Sequence, residues 1–385
     1  MVAIFWVFLV LGLTSFGGPV AHIGYFHRAF VQQRGWITDE QFQEYLALCH
    51  CLPGPTSSQL GMLIGQHRAG WRGMLLAWLG FTLPSALLMT LLGMELFSHD
   101  WTLLSALSWL GVVMVAQAVV KLARSSFKQH PRPLTYGAWF VLGALVMVFI
   151  PKASTLPLLI LFAGAVGAFA LPVVKREEQV CTQRTYGHPI ALVLLVFLII
   201  TSPLLLTYWP TELSRLWDSF LRAGTWVFGG GHVLMPVLQT ELVDTQQIAA
   251  QTFLHGYGAA QVMPGPLFSV AAFMGAQIGS GLTGALIALL AIFLPSFLLL
   301  WGVLPYWQRL RQQPRLSGAL CNINAAVAGS LLAACWHAAW QLPSLHITQA
   351  MMALGLGVAL LGWGSYHLRM VAAVVGLAAG VLSVL

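Results

Sequence analysis

Apolar residues run along this chain in blocks of roughly 17–25, each long enough to cross a bilayer as a helix. Thirteen such segments are read, near residues 3–25, 42–66, 71–96, 101–121, 134–150, 155–174, 190–208, 213–238, 253–278, 281–306, 316–340, 348–364 and 367–385. The gaps between them are short. One is longer and more polar: Lys175–His188 holds Lys175, Arg176, Glu177, Glu178 and Arg184. The pattern predicts an all-α polytopic membrane protein with a first transmembrane half over 1–174, a cytoplasmic linker over 175–189 and a second half over 190–385. Ala3–Leu13 follows no basic stretch and precedes no A-x-A site, so it reads as the start of a span and not as a removable signal.

Two of the apolar blocks are interrupted by the residues a helix tolerates least. Leu52-Pro53-Gly54-Pro55-Thr56-Ser57-Ser58-Gln59 lies inside one, and Met263-Pro264-Gly265-Pro266-Leu267-Phe268-Ser269 inside another. Each proline removes a helical hydrogen bond, so a Pro-Gly-Pro triplet breaks the helix. Within hydrocarbon an open backbone survives only against protein or a water-filled cavity. Two such breaks therefore predict a site for a polar solute.

The breaks belong to a longer repeat. Phe16-Gly17-Gly18 has its twin in Phe228-Gly229-Gly230, an offset of 228 − 16 = 212. Phe42 pairs with Phe253, Pro53 with Pro264, Gly73 with Gly284, and Leu83-Pro84-Ser85 with Leu294-Pro295-Ser296, all at offset 211. The Phe-Gly-Gly segment is first in one half and eighth overall in the other. If every segment spans, the halves enter from opposite sides and form an inverted repeat, a plan common among secondary transporters.

Composition sharpens the class. The chain is 58% hydrophobic and only 8% charged, far below the roughly 25% of a soluble domain. Net charge is +7, but the basic residues are scattered over short loops without interleaved aromatics, so nucleic acid is not an expected partner. With alternating segments, thirteen Lys and Arg fall on one side and five on the other, which places the N-terminus in the cytoplasm and the C-terminus outside. Cys49 and Cys51 form a C-x-C that reads as small packing residues; no metal and no cofactor is expected. Phosphate-binding, dinucleotide-binding and zinc-protease motifs do not occur, so transport energy has to come from ion gradients or the membrane potential.

The candidate chemistry lies at the breaks. Gly17, Gly18 and His22 in the first half, and Gly229, Gly230, Gly231 and His232 in the second, allow an open backbone and close approach of another group. Small residues at helix crossings are the competing account. A helix restarting after Pro55 aims its free N–H groups back at the break, an anion cradle with the helix dipole behind it. Thr56, Ser57, Ser58 and Gln59 fall in its first turn and can donate without adding charge, whereas after Pro266 only Ser269 and backbone groups are offered. A proline kink relieved by Ser and Thr is the alternative. Arg222, about two turns before Phe228, is the best-placed cation, unless it snorkels to the interface. His22, Glu44, His50, Glu95, His232, His255 and His337 are candidate proton carriers, and Asn322 and Asn324 candidate cavity residues or interhelical hydrogen-bonders. Thr38-Asp39-Glu40-Gln41 has the spacing of a capping box that starts the helix toward the first Pro-Gly-Pro.

At these residues the sequence resembles the chromate ion transporter (CHR) family. The resemblance is carried by Phe16-Gly17-Gly18-Pro19 with His22, the Pro-Gly-Pro followed by Thr56–Gln59, Ala69-Gly70 with Gly73, and Leu83-Pro84-Ser85. The second set, Phe228 to Gly231, Pro264 to Pro266 and Leu294 to Ser296, matches the long-chain, two-half type. One departure is Gly231 where the first copy has Pro19. The resemblance implies a bacterial inner-membrane, multi-pass protein that exports chromate on the proton motive force and confers chromate resistance. The expected partners are chromate or a related oxyanion, protons as coupling ion, the lipid bilayer, and a second copy of the chain in a homodimer. A carrier of sulfate or another oxyanion, and a membrane scaffold without transport, are the alternatives.

Overall fold

The computed structural model describes residues 1–95, 116, 119–120, 133–152, 154–170, 187–228, 231–279, 281–311 and 313–341. Among them all regular structure is helical. The first half contains α1 (Val2–Thr14), α2 (Gly18–Phe26) running into a π-helical turn (His27–Gln33), α3 (Asp39–Cys51), α4 (Thr56–Gly93), α5 (Pro133–Phe149) and α6 (Thr155–Ala170). After α7 (Ile190–Tyr208) the pattern starts again. α8 (Glu212–Trp226), a 3-10 turn and α9 (Leu234–Leu238), a π-helical turn (Gln239–Val243), α10 (Ala250–Val262), α11 (Val270–Ile278) and α12 (Leu282–Val303) follow, then α13 (Trp307–Arg311) and α14 (Pro314–Gln341).

Four of the expected segments are helices long and apolar enough to cross a bilayer: Thr56–Gly93, Ile190–Tyr208, Leu282–Tyr306 and Arg315–Ala338. Those near 134–150 and 155–174 are the shorter α5 and α6. The four near 3–25, 42–66, 213–238 and 253–278 are each split by an unwound stretch. Apart from Thr56–Gly93, their arms are α-helices of 5 to 15 residues, about 23 Å at most and short of the ~30 Å hydrocarbon core, so such an arm cannot cross alone. The segments expected near 348–364 and 367–385, most of the one near 101–121, and most of the 175–189 linker lie outside the described residues.

Local rules explain the boundaries. Thr38 Oγ1 accepts from Gln41 N–H at 3.3 Å and Gln41 Oε1 accepts from Thr38 N–H at 3.0 Å, the capping box anticipated for α3. α4 carries a kink at Ala69-Gly70, where Gly70 takes φ 60°, and Gly281 at the start of α12 takes φ 61°. Both positions lie in the left-handed region that favours glycine. Pro84 inside α4 leaves the Gly80 carbonyl without its helical donor, and α1 crosses α4 there at Gly12. α8 packs on α12 as α1 packs on α4, so the duplication extends to packing. α14 packs against α5 and α6 of the first half, and α11 against α4, tying the halves into one core.

Candidate functional site

Each half unwinds twice. In the first half α1 ends at Ser15 with φ −87° and ψ 96°, and α2 begins after Gly17 at φ 95°. α3 gives way at Leu52 with φ −94° and ψ 148°, and α4 begins after Pro55. In the second half α8 ends at Val227 with φ −80° and ψ 97°, and α10 at Met263 with φ −68° and ψ 143°. Gly54 and Gly265 take φ 125° and 101°. Only glycine enters this region without strain, which is why the middle residue of each Pro-Gly-Pro is what it is.

The breaks are crossed between the halves. Gly54 N–H donates to the Val227 carbonyl at 2.7 Å, and Gly265 N–H donates to the Ser15 carbonyl at 3.0 Å. Ser15 and Val227 are equivalent (227 − 15 = 212), as are Gly54 and Gly265 (265 − 54 = 211). Position i bonding j′ while i′ bonds j is the mark of a two-fold relation. The Leu-Pro-Ser motifs cross in the same sense. A Cβ at Gly54 would collide with Ser296 Oγ and the Gln59 amide, and one at Gly265 would lie 2.8 Å from Ser85 Oγ. Each serine thus presses on the break of the opposite half. Neither serine stood out as a site residue in the sequence; its pairing at offset 211 was the available signal.

Polar groups gather around these crossings. Thr56, Ser57, Ser58 and Gln59 form the first turn of α4 and are 6%, 2%, 2% and 0% exposed. Gln59 Nε2 donates to the Pro53 carbonyl at 2.6 Å and to Ser296 Oγ at 3.4 Å, which ties the break to the helix that follows it. Ser58 Oγ, Gln59 Oε1, Ser269 Oγ and Ser15 Oγ are buried without a hydrogen-bond partner among the described residues. Ser58 and Ser269 are equivalent (269 − 58 = 211). Each unmatched buried polar group costs about 1–3 kcal/mol. Several beside the open ends of two helices make a place suited to a polar solute. The three hydroxyls can donate to an anion; Gln59 Oε1 can only accept, so it suits a proton-bearing oxygen.

The remaining expected residues fall in three groups. Pro53, Pro55 and Pro266 are buried at the breaks, Pro264 half-buried. Gly17 is exposed, Gly18 half-buried, and Gly231 lies against Pro19, the residues that follow the two Phe-Gly-Gly motifs. His22 Nε2 donates to the Ser15 carbonyl at 3.2 Å and the ring meets Phe81 edge-on, which makes His22 a brace for the first break. Gly229, Gly230 and the His232 side chain lie outside the described residues. Arg222 stands apart: its Nη2 is 2.7 Å from Asp218 Oδ2 and 3.2 Å from Glu241 Oε2. Both carboxylates pair with Nη2, while Arg222 Nε is buried without a hydrogen-bond partner among the described residues. Neither acid was singled out from the sequence, although the i,i+4 spacing of Asp218 and Arg222 on one helix was legible.

A family model described as chromate transporter matches residues 2–168 and 214–384. The chain is 30% identical over 339 residues to a probable chromate transport protein of Synechococcus elongatus, covering 85% of this chain and 81% of that protein. It is 31% identical over 336 residues to a chromate transport protein of Cupriavidus metallidurans, covering 85% and 80%. An uncharacterized transporter of Bacillus subtilis is 27% identical over 175 residues, which is 38% of this chain but 97% of that protein. No solved structure matches the chain.

Proposed function

Because this chain belongs to the chromate transporter family, matched in both of its halves, we propose that it is a secondary transporter moving chromate outward across a bacterial inner membrane. The observation that carries the reading is the pair of crossed breaks with unmatched buried hydroxyls beside them. Chromate is a tetrahedral dianion. The open N–H groups at the start of α4 and of the turn before α11 supply partial positive charge, roughly half an elementary charge per helix. Ser58, Ser269 and Ser15 supply neutral donors. No Lys or Arg falls in the breaks or in the first turn after each Pro-Gly-Pro. A site that meets a dianion with dipoles alone binds modestly, and a transporter has to release what it binds.

Alternating access is the mechanism proposed. The two halves are inverted repeats, with the N-terminus cytoplasmic and the C-terminus outside. Each conformational state opens the crossed breaks to one side, and export confers chromate resistance. A negative cell interior already favours anion exit by about 2.3 kcal/mol per charge per 100 mV, and coupled protons add to that drive. The test is radiolabelled chromate flux in proteoliposomes under an imposed potential, with and without a pH gradient. Saturable flux that responds to the gradients is expected, and its absence would overturn the reading. Sulfate has the same shape and charge, so its competition in the same vesicles measures how far the site prefers chromate.

A further inference from the structure

The second half holds a charged cluster with no counterpart in the first. α8 carries Asp218 and Arg222 one turn apart, and the π-helical turn Gln239–Val243 lays Glu241 against them. The Asp218 and Glu241 side chains are 1% and 3% exposed, while that of Arg222 is 39% exposed. At the equivalent places, 212 residues earlier, the first half has Trp6, Val10 and Ala29.

Two buried carboxylates share one guanidinium. Fully ionised, the cluster holds one negative charge in excess, with both carboxylates buried. Asp218 Oδ1 is buried and without a hydrogen-bond partner among the described residues. The elements packed on α8 bring little to offset that charge. α9, α11 and α12 contain no titratable residue, and α7 contains only Tyr208. α10, against the π-turn, adds His255 and Tyr257. On α8 itself Glu212 and Arg215 are exposed. Asp244, just past the π-turn, is exposed and interacts with His337. A buried excess charge of this kind is expensive, and one proton shared between the carboxylates removes it. Arg222, 39% exposed, links the buried pair to the surface of the described residues.

We propose that Asp218, Arg222 and Glu241 form the site that binds the coupling proton, a reading that rests on the transport function proposed above. The cluster is placed to act on the anion site. Arg222 lies five residues before Val227, whose carbonyl receives the Gly54 N–H, and Glu241 lies on the segment that leaves the same break. Loss of the proton makes the two carboxylates repel and compete for one guanidinium. The strain falls on the two arms that frame the Phe228 break, and through Val227 on the first Pro-Gly-Pro.

The experiment pairs difference infrared titration of the purified full chain in lipid with chromate flux in proteoliposomes. The wild type is expected to show the carbonyl band of a protonated carboxylic acid that vanishes as pH rises. Glu241→Gln and Asp218→Asn, which keep side-chain shape, should each lose that band, because the remaining carboxylate faces Arg222 alone. In both, the ratio of flux with and without a pH gradient should fall to unity. Glu212→Gln, exposed on the same helix, should keep both signals. A titrating band that survives in both variants, or a wild-type gradient ratio in either, overturns the proposal. Should the wild type move no chromate at all, the transport reading fails, and the infrared titration still decides whether this cluster binds a proton.

Discussion

Ser58 and Ser269 occupy equivalent places after the two Pro-Gly-Pro breaks, yet their neighbours differ: Thr56, Ser57 and Gln59 in one half, Leu267, Phe268 and Val270 in the other. At the helix ends before the first breaks the backbones hardly differ. Ser15 and Val227 leave their helices within a few degrees of each other, and π-helical turns stand at His27–Gln33 and Gln239–Val243, 212 residues apart. The two-fold relation is kept where glycine, proline and crossed hydrogen bonds set the path of the chain. It is abandoned in the side chains, so that one half offers hydroxyls at its break and the other holds the acid pair with Arg222. Duplication supplied a symmetric frame, and divergence assigned the parts different chemistry.

The largest test of the shared frame is Gly54→Leu beside Gly265→Leu. Both force a side chain into a left-handed backbone, at about 1–3 kcal/mol each, and into a serine of the opposite half. Both should abolish chromate flux while the protein still reaches the membrane. Gly54→Leu should lower the melting temperature in detergent further, because a Cβ there meets both Ser296 and Gln59. Flux surviving in either variant would separate the crossed breaks from transport.

The asymmetry is tested next. Ser58→Ala should raise the chromate KM by about tenfold, the value of one hydrogen bond to a charged group. Ser269→Ala, with no hydroxyl neighbours in its turn, should raise it only a few-fold. Equal effects would mean that the halves share the anion evenly. The smallest expected effect concerns a cap. Thr38 caps α3, while its counterpart Ala249 (249 − 38 = 211) gives α10 no side-chain cap. Thr38→Ala should destabilise, and Ala249→Ser stabilise, each by about 1 kcal/mol, read as shifts in melting temperature.

The sequence by itself determined what depends on local covalent chemistry and spacing. Pro53-Gly54-Pro55 and its twin had to unwind, Thr38 and Gln41 had to open a helix, Thr56 had to start one, and the apolar runs had to be helical and membrane-bound. It also carried the duplication, since offsets of 211 and 212 are countable. Tertiary structure alone decided which groups meet. Nothing in the order of residues says that the Gly54 N–H finds Val227 across the halves and not a partner in its own, or that Ser296 faces Gly54. It also set Arg222, a candidate anion ligand, beside Asp218 and Glu241. The physical reason is that a backbone donor carries no residue-specific label and a guanidinium takes whichever carboxylate packing brings within reach, so both choices are made only when the helices have docked.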